Sequence, residues 1–207
     1  MKVVNVNNSK RTGLLVLVGL AVVLLMIIFW FVGSYNGLIR LDTEVDESWA
    51  NVETQYQRRA DLIPNLVNTV QGAANFEKDT QSAIAALRTG AASAKAAWDS
   101  AQGVGEKIAA AKQIDNVIGG FKGLNINVER YPELKATENF LNLQAQLEGT
   151  ENRVAVARTR FNEKVKSYNV KIRRIPTVFI ANMFGFEKED FFESDEGSDT
   201  APVVDFN

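Results

Sequence analysis

From Gly13 to Gly33 the chain reads GLLVLVGLAVVLLMIIFWFVG, 21 residues without a charge. A helix of that length, rising about 1.5 Å per residue, covers roughly the 30 Å hydrocarbon core of a bilayer, so a membrane span is expected. The competing reading is a secretory signal peptide, whose apolar stretch runs to about 7–15 residues before a small-residue cleavage site. This run is longer, and Val32-Gly33-Ser34 matches such a site poorly, which favours a retained anchor. Trp30 and Phe31 fall where an interfacial aromatic belt would sit.

Beyond the span the apolar positions take the period of an amphipathic helix. Leu38, Leu41, Val45, Trp49, Val52, Tyr56, Ile63, Leu66 and Val70 recur at steps mostly of three, four or seven, predicting a helix over 36–73. It can continue from the span, although Pro64 lacks an N–H and is expected to kink or break it near Ala60 and Asp61. An Ala-rich helix is predicted over 76–102. After Gly103 and Gly105 a third helix follows to about residue 118, where Gly119, Gly120 and Gly123 are expected to open a turn. The string GLNINVERYP, 123–132, reads as an extended connection. From 133 to 173, Phe140, Leu147, Val154, Phe161 and Tyr168 stand at a strict seven-residue spacing. That predicts a helix of about 40 residues, roughly 60 Å long, ended by Pro176.

With no Gly/Ser/Pro linker between these helices, the expected fold is all-α. An N-terminal transmembrane helix continues into an antiparallel bundle of about four helices, two of them long. The expected divisions are a short cytoplasmic N-terminus (1–12), the span (13–33), the helical domain (36–193) and an acidic, flexible tail (194–207). If the first helix rises from the membrane and the turns alternate direction, the fourth descends toward it. The aromatic segment holding Phe179, Met183, Phe184, Phe186, Phe191 and Phe192 then arrives near the bilayer. It is either an interfacial amphipathic segment or a cap on the bundle. Glu187, Glu189 and Asp190 around Lys188 favour the cap, because anionic headgroups repel them.

Charge adds an orientation. Lys2, Lys10 and Arg11 precede the span, whereas Arg40 is the one basic residue in the twenty that follow it. The positive-inside rule puts the N-terminus in the cytoplasm and the domain outside the cytoplasmic membrane, in a periplasm or at a cell surface. A net charge of -2 gives no basic face for nucleic acid. The chain has neither cysteine nor histidine. It therefore lacks the thiolate nucleophile, the commonest metal ligand and the best neutral-pH proton shuttle, so no catalytic residue, metal ligand or cofactor is assigned and a non-enzymatic role is expected.

Several charged and amide side chains stand out near the predicted turns: Arg58, Arg59, Asp61 and Asn65 on the first soluble helix, and Asn139, Glu148, Glu151, Arg153 and Arg158 on the last. Opposite charges across the two helices are expected to form a polar network that fixes helix register, or else to hold a ligand or partner. Glu148 and Glu151 share a helix face, as in carboxylate metal sites, but the histidine such sites add is missing.

Two long strings resemble the LemA family of bacterial membrane-anchored proteins. The first, Tyr35 to Asp79, centres on RRADLIPNLV at Arg58–Val67. The second is YPELKATENFLNLQAQLEGTENRVAVARTRFNEKVKSYN, Tyr131 to Asn169, followed by IRRIP and GFEKEDFFE. The resemblance is weakest from about Thr89 to Asn127. It implies an N-terminally anchored, outward-facing helical bundle and carries over no catalytic residues. The resemblance implies little about activity; the seven-residue repeat of the last helix is what makes a structural or scaffolding role the expectation. Membrane lipid is bound through 13–33, and Leu143, Ala145, Ala155 and Ala157 leave room for a helix of a homo-oligomer or of a protein partner. An envelope sensor or an accessory subunit of another membrane protein is the alternative.

Overall fold

The computed structural model describes residues 6–73, 78–123 and 138–192. The predicted connection at 123–132 beyond Gly123, the tail at 194–207 and the side chain of Asn139 lie outside the described residues. Every regular element among those described is a helix: α1 (Val6–Ala73), α2 (Lys78–Ser100), α3 (Val104–Gly123), α4 (Glu138–Arg173) and α5 (Thr177–Phe184). They fall into two compact units. One comprises residues 1–44 and 166–189, the other 45–165 and 190–207.

Alternation of direction in the larger unit follows from its side-chain pairs. Along α1, Trp49 meets Phe161, Tyr56 meets Arg158 and Arg59 meets Thr150, so partner numbers on α4 fall as those on α1 rise. On α2, Trp98 meets Gln57 and Lys95 meets Asp61, again antiparallel. On α3, Lys107 meets Glu53 and Asp115 meets Arg59, which is parallel to α1. The result is an up-down-up-down bundle. The predicted stripes supply its interior: Val45, Trp49, Val52, Tyr56, Ile63, Leu66 and Val70 from α1 and Phe140, Val154 and Phe161 from α4 are buried.

Two expectations need correction. The helix is not interrupted at Pro64, which lies inside α1. Proline withholds only the bond to the Ala60 carbonyl, and Leu62, Ile63, Leu66 and Val67 around it are all buried, so packing holds the chain helical. Asn65 Nδ2 also donates to the Asp61 carbonyl at 3.3 Å, adding a local donor beside the missing one. Likewise α3 does not end at the glycines but runs through Gly119 and Gly120 to Gly123. At Gly120 the requirement is steric, since a Cβ there would stand 2.7 Å from Leu87 Cδ2 on α2. The glycine lets two helices approach instead of turning the chain. The α2–α3 turn is made earlier, at Gly103 (φ 83), and Glu106 accepts the Gln102 N–H at 2.7 Å to cap α3.

In the smaller unit, α1 carries Leu38 into full burial. Its preceding residues from Gly13 to Trp30 are exposed, and this is the helix among those described that is long and apolar enough to cross a membrane. Tyr35 packs on Phe184 (ring centroids 4.6 Å apart) and Phe186 (6.0 Å), and Phe31 on Phe184 (6.0 Å). Thr177, Ile180 and Ala181 form the buried side of α5. Gly185 ends that helix in the left-handed region (φ 74), with its N–H and that of Phe186 both donating to the Ala181 carbonyl.

Candidate functional site

Three helices of the larger unit converge on one carboxylate, Asp115 of α3. Its Oδ1 accepts from Arg59 Nη1 at 2.7 Å, and its Oδ2 accepts from the Tyr56 hydroxyl at 2.7 Å and from Arg158 Nη2. Arg158 Nη2 also donates to the Tyr56 oxygen. Arg59 Nε reaches Thr150 Oγ1 at 3.3 Å, and that hydroxyl donates in turn to the Leu147 carbonyl at 2.7 Å. The Arg59 side chain is 6% exposed and that of Asp115 15%, so the charges are largely withdrawn from water and rely on each other. Arg158 does a second job: its guanidinium lies 4.2 Å from the centre of the Phe192 ring, which stacks on Tyr56 with centroids 5.8 Å apart. Asn162 holds Phe192 in place, its Nδ2 donating to the Phe192 carbonyl and its Oδ1 accepting the Phe192 N–H, both at 2.8 Å. In the smaller unit Asn169 grips Glu189 in the same two-handed way, at 2.8 and 3.0 Å.

A cleft of about 280 Å³ opens beside this hub, lined by Arg59, Asp115, Lys122, Glu151 and Arg158 among others. Lys122 Nζ binds Glu151 Oε2 at 2.6 Å on its exposed side. On the other flank of α1, Trp98 is fully buried. Its Nε1 donates to Gln57 Oε1 at 2.8 Å, and Lys107 Nζ stands 4.5 Å from its ring centre, paired with Glu53 at 3.2 Å. Gln57 donates onward to Asp61, which pairs with Lys95 at 3.0 Å.

Of the residues singled out in the sequence, Arg59, Arg158 and Glu151 come together at the cleft. Asp61 belongs to the Lys95 pair, and Asn65 is exposed beside the 490 Å³ groove it lines with Asn142 and Gln146. Arg58, Glu148 and Arg153 are exposed. Glu148 accepts from Gln144 at 3.1 Å, and Arg153 folds across Gly149. In the described ion pairs between helices of the larger unit, the expected direct pairing of α1 with α4 is replaced by pairing through α2 and α3: Asp115 serves Arg59 and Arg158, while Lys95, Lys107 and Lys122 serve Asp61, Glu53 and Glu151. The aromatic segment divides: Phe192 is buried as a cap, Phe186 is half-buried, and Phe179, Phe184 and Phe191 are exposed. Sequence reasoning missed Asp115, Tyr56 as a polar group, Asn162 and Asn169. The asparagines left a signal, since each follows a core aromatic, Phe161 or Tyr168, one heptad apart.

The outer ion pairs titrate. The Asp61 carboxyl is held below the usual carboxylate range, chiefly by the hydrogen bond from Lys95; burial opposes this, while Gln57 and the charge of Lys95 add to it. Lys95 is raised by its bonds to Asp61 and Asp99, and Glu151 is lowered first by its bond from Lys122. A carboxylate with a depressed folded-state pKa binds protons less well folded than unfolded. Its contribution is present above the ordinary carboxylate range and lost as pH falls through the folded value. The raised Lys95 contributes below the ordinary lysine range and loses that contribution as pH rises through its folded value. Lys95→Met should therefore cost about 0.2–1 kcal/mol near neutrality, an exposed pair's worth. Urea titrations of both proteins should show that gap narrowing as pH falls below the ordinary carboxylate range and through the depressed folded value.

The sequence profile of the LemA family matches residues 48–206, most of the chain and all of the hub. The chain belongs to the LemA family. Among its relatives, magnetosome protein MamQ of Magnetospirillum gryphiswaldense is 27% identical, over 82% of this chain and 68% of its own length. Magnetosome protein MamQ 2 of Paramagnetospirillum magneticum is 25% identical over the same shares. Protein LemA of Metamycoplasma hominis is 27% identical over 81% of this chain and 73% of its own. These names state no chemical reaction. With its N-terminal apolar helix as candidate anchor, this LemA-family chain is a membrane-associated helical protein.

Proposed function

We propose that this LemA-family protein is a non-enzymatic scaffold, anchored through residues 13–33, that assembles copies of itself along the membrane. Its N-terminus faces the cytoplasm and its bundle the periplasm or cell exterior, in keeping with the basic residues ahead of the span. The observation that carries the reading is the outer face of α4. Leu141 (48% exposed) and Val156 (50%) stand there with exposed Ala145, Ala155 and Thr159 within one helical stripe. Large apolar side chains on a long helix, set among small ones, suit close approach by a second helix. Of the residues expected to admit a neighbour, Ala157 is excluded because it packs inside its own bundle, and Leu143 is half-buried.

The deciding measurement is the mass of the full-length protein in mild detergent and in nanodiscs. A sharp multi-subunit species, dissociated by Val156→Glu with the helical signal retained, is the expected result. A monomer at all concentrations overturns self-assembly. It would favour an accessory or sensory subunit, a reading supported by the cleft at Arg59, Lys122 and Arg158, where three cations meet two carboxylates.

A further inference from the structure

We infer that α5 is a second membrane contact: a short interfacial helix that, with Ile175 in the turn ahead of it, lays Phe179 and Met183 into the lipid headgroup region beside the point where α1 leaves the bilayer. This rests on residues 13–33 spanning that bilayer.

Depth is set by Phe31. A helix entering the hydrocarbon at Gly13 reaches its far edge near Gly33, about 30 Å on, so Phe31 lies only about 3 Å inside that edge. Phe184, the last residue of α5, packs its ring against Phe31 and, at 4.6 Å, against Tyr35 one turn further out. The end of α5 is thereby fixed at the boundary between acyl chains and headgroups, level with the half-exposed indole of Trp30.

The free side of α5 has the chemistry of that boundary. Thr177, Ile180 and Ala181 are buried against protein. Phe179 and Met183, four apart and so on one face of α5, are 68% and 62% exposed, and Ile175, in the turn just ahead of the helix, is 76% exposed. In water such a cluster on and just ahead of a short helix is an unfavourable apolar patch, whereas at an interface it is the inserting side. Lys171, Arg173 and Arg174 immediately precede the helix, Arg173 and Arg174 exposed, and suit lipid phosphates. The acidic run at Glu187–Asp190 follows Gly185, where the chain turns away from α5, and Glu189 is bound through its backbone to Asn169. The acidic residues thus lie beyond the end of α5 and not on the helix itself.

Because the chain has no cysteine, single labels are unambiguous. Full-length Phe179→Cys and Met183→Cys proteins, nitroxide-labelled in phosphatidylcholine–phosphatidylglycerol vesicles, should show oxygen accessibility raised several-fold relative to a water-soluble nickel chelate, as compared with a label at exposed Ser100→Cys. A Leu20→Cys label reports the span itself. If Leu20→Cys is lipid-exposed while the Phe179→Cys and Met183→Cys labels remain as open to nickel as Ser100→Cys, the second contact is overturned and the anchor stands. If Leu20→Cys is also in water, the anchor has failed first and the inference falls with it. Labels on α5 shielded from both relaxers, in detergent as in vesicles, would mean a protein occupies the face and would likewise overturn the inference. Photoactivatable phosphatidylcholine offers a readout on the unsubstituted chain, with adducts expected on 175–183.

Discussion

Alanine at position 115 is expected to destabilise the bundle by about 3–5 kcal/mol, the cost of removing one partner from a buried charge pair. Asp115 is the shared acceptor for Arg59, Arg158 and Tyr56, so its loss leaves two guanidinium groups in a largely dehydrated site without the carboxylate that both of them bind. For a domain of this size the midpoint of thermal unfolding should fall by about 6–20 °C, followed by circular dichroism of the full-length protein in detergent. Arg58→Ala, one residue from Arg59 but exposed, should move it by little, within about 0.5 kcal/mol. Substituting Asp115, Arg59 and Arg158 together by apolar residues should recover part of the loss, because the penalty comes from stranded charge rather than from missing attraction. An Asp115→Ala protein melting with the parent would show that the hub does not hold the helices.

Phe161→Ala should cost a comparable amount, about 3–5 kcal/mol, for a different reason. The ring is fully buried and meets Trp49 edge-on with centroids 5.2 Å apart, so truncation leaves a void between α1 and α4 that neighbours only partly fill. Urea titration should give a lower midpoint with unchanged slope, and Phe161→Leu a smaller shift than alanine. The same truncation at Phe179, which is exposed, should leave stability in detergent within about 0.5 kcal/mol. Equal losses at 161 and 179 would contradict the assignment of core and surface.

The helices were legible because each buries one face, and burial of one face writes a period into the sequence. Tyr56, Val154 and Phe161 were placed in the interior on spacing alone, and all three are there. Pro64 and the glycines of α3 misled because local propensity is weak against packing. The apolar neighbours of Pro64 outweigh one missing hydrogen bond, and Gly120 answers to Leu87, which is 33 positions away in the chain and has no local trace. The hub was half legible. Arg59 and Arg158 stand out as charges able to pair between helices, but Asp115 sits in an ordinary-looking KQIDN string, and only the fold decides which of 25 acidic residues they meet. Tyr56 read as one more member of a hydrophobic stripe, since periodicity records the ring and is blind to its hydroxyl.

Stacking of Phe192 on Tyr56 under the Arg158 guanidinium also orders events during synthesis. The anchor leaves the ribosome first, then Tyr56, Asp115 and Arg158 in turn, and the ring that closes over them comes last. Until then the nascent domain carries the described helices of its bundle, yet one face of its central tyrosine is still uncovered. Vectorial folding from the N-terminus can bring these helices together, but completion waits on residue 192.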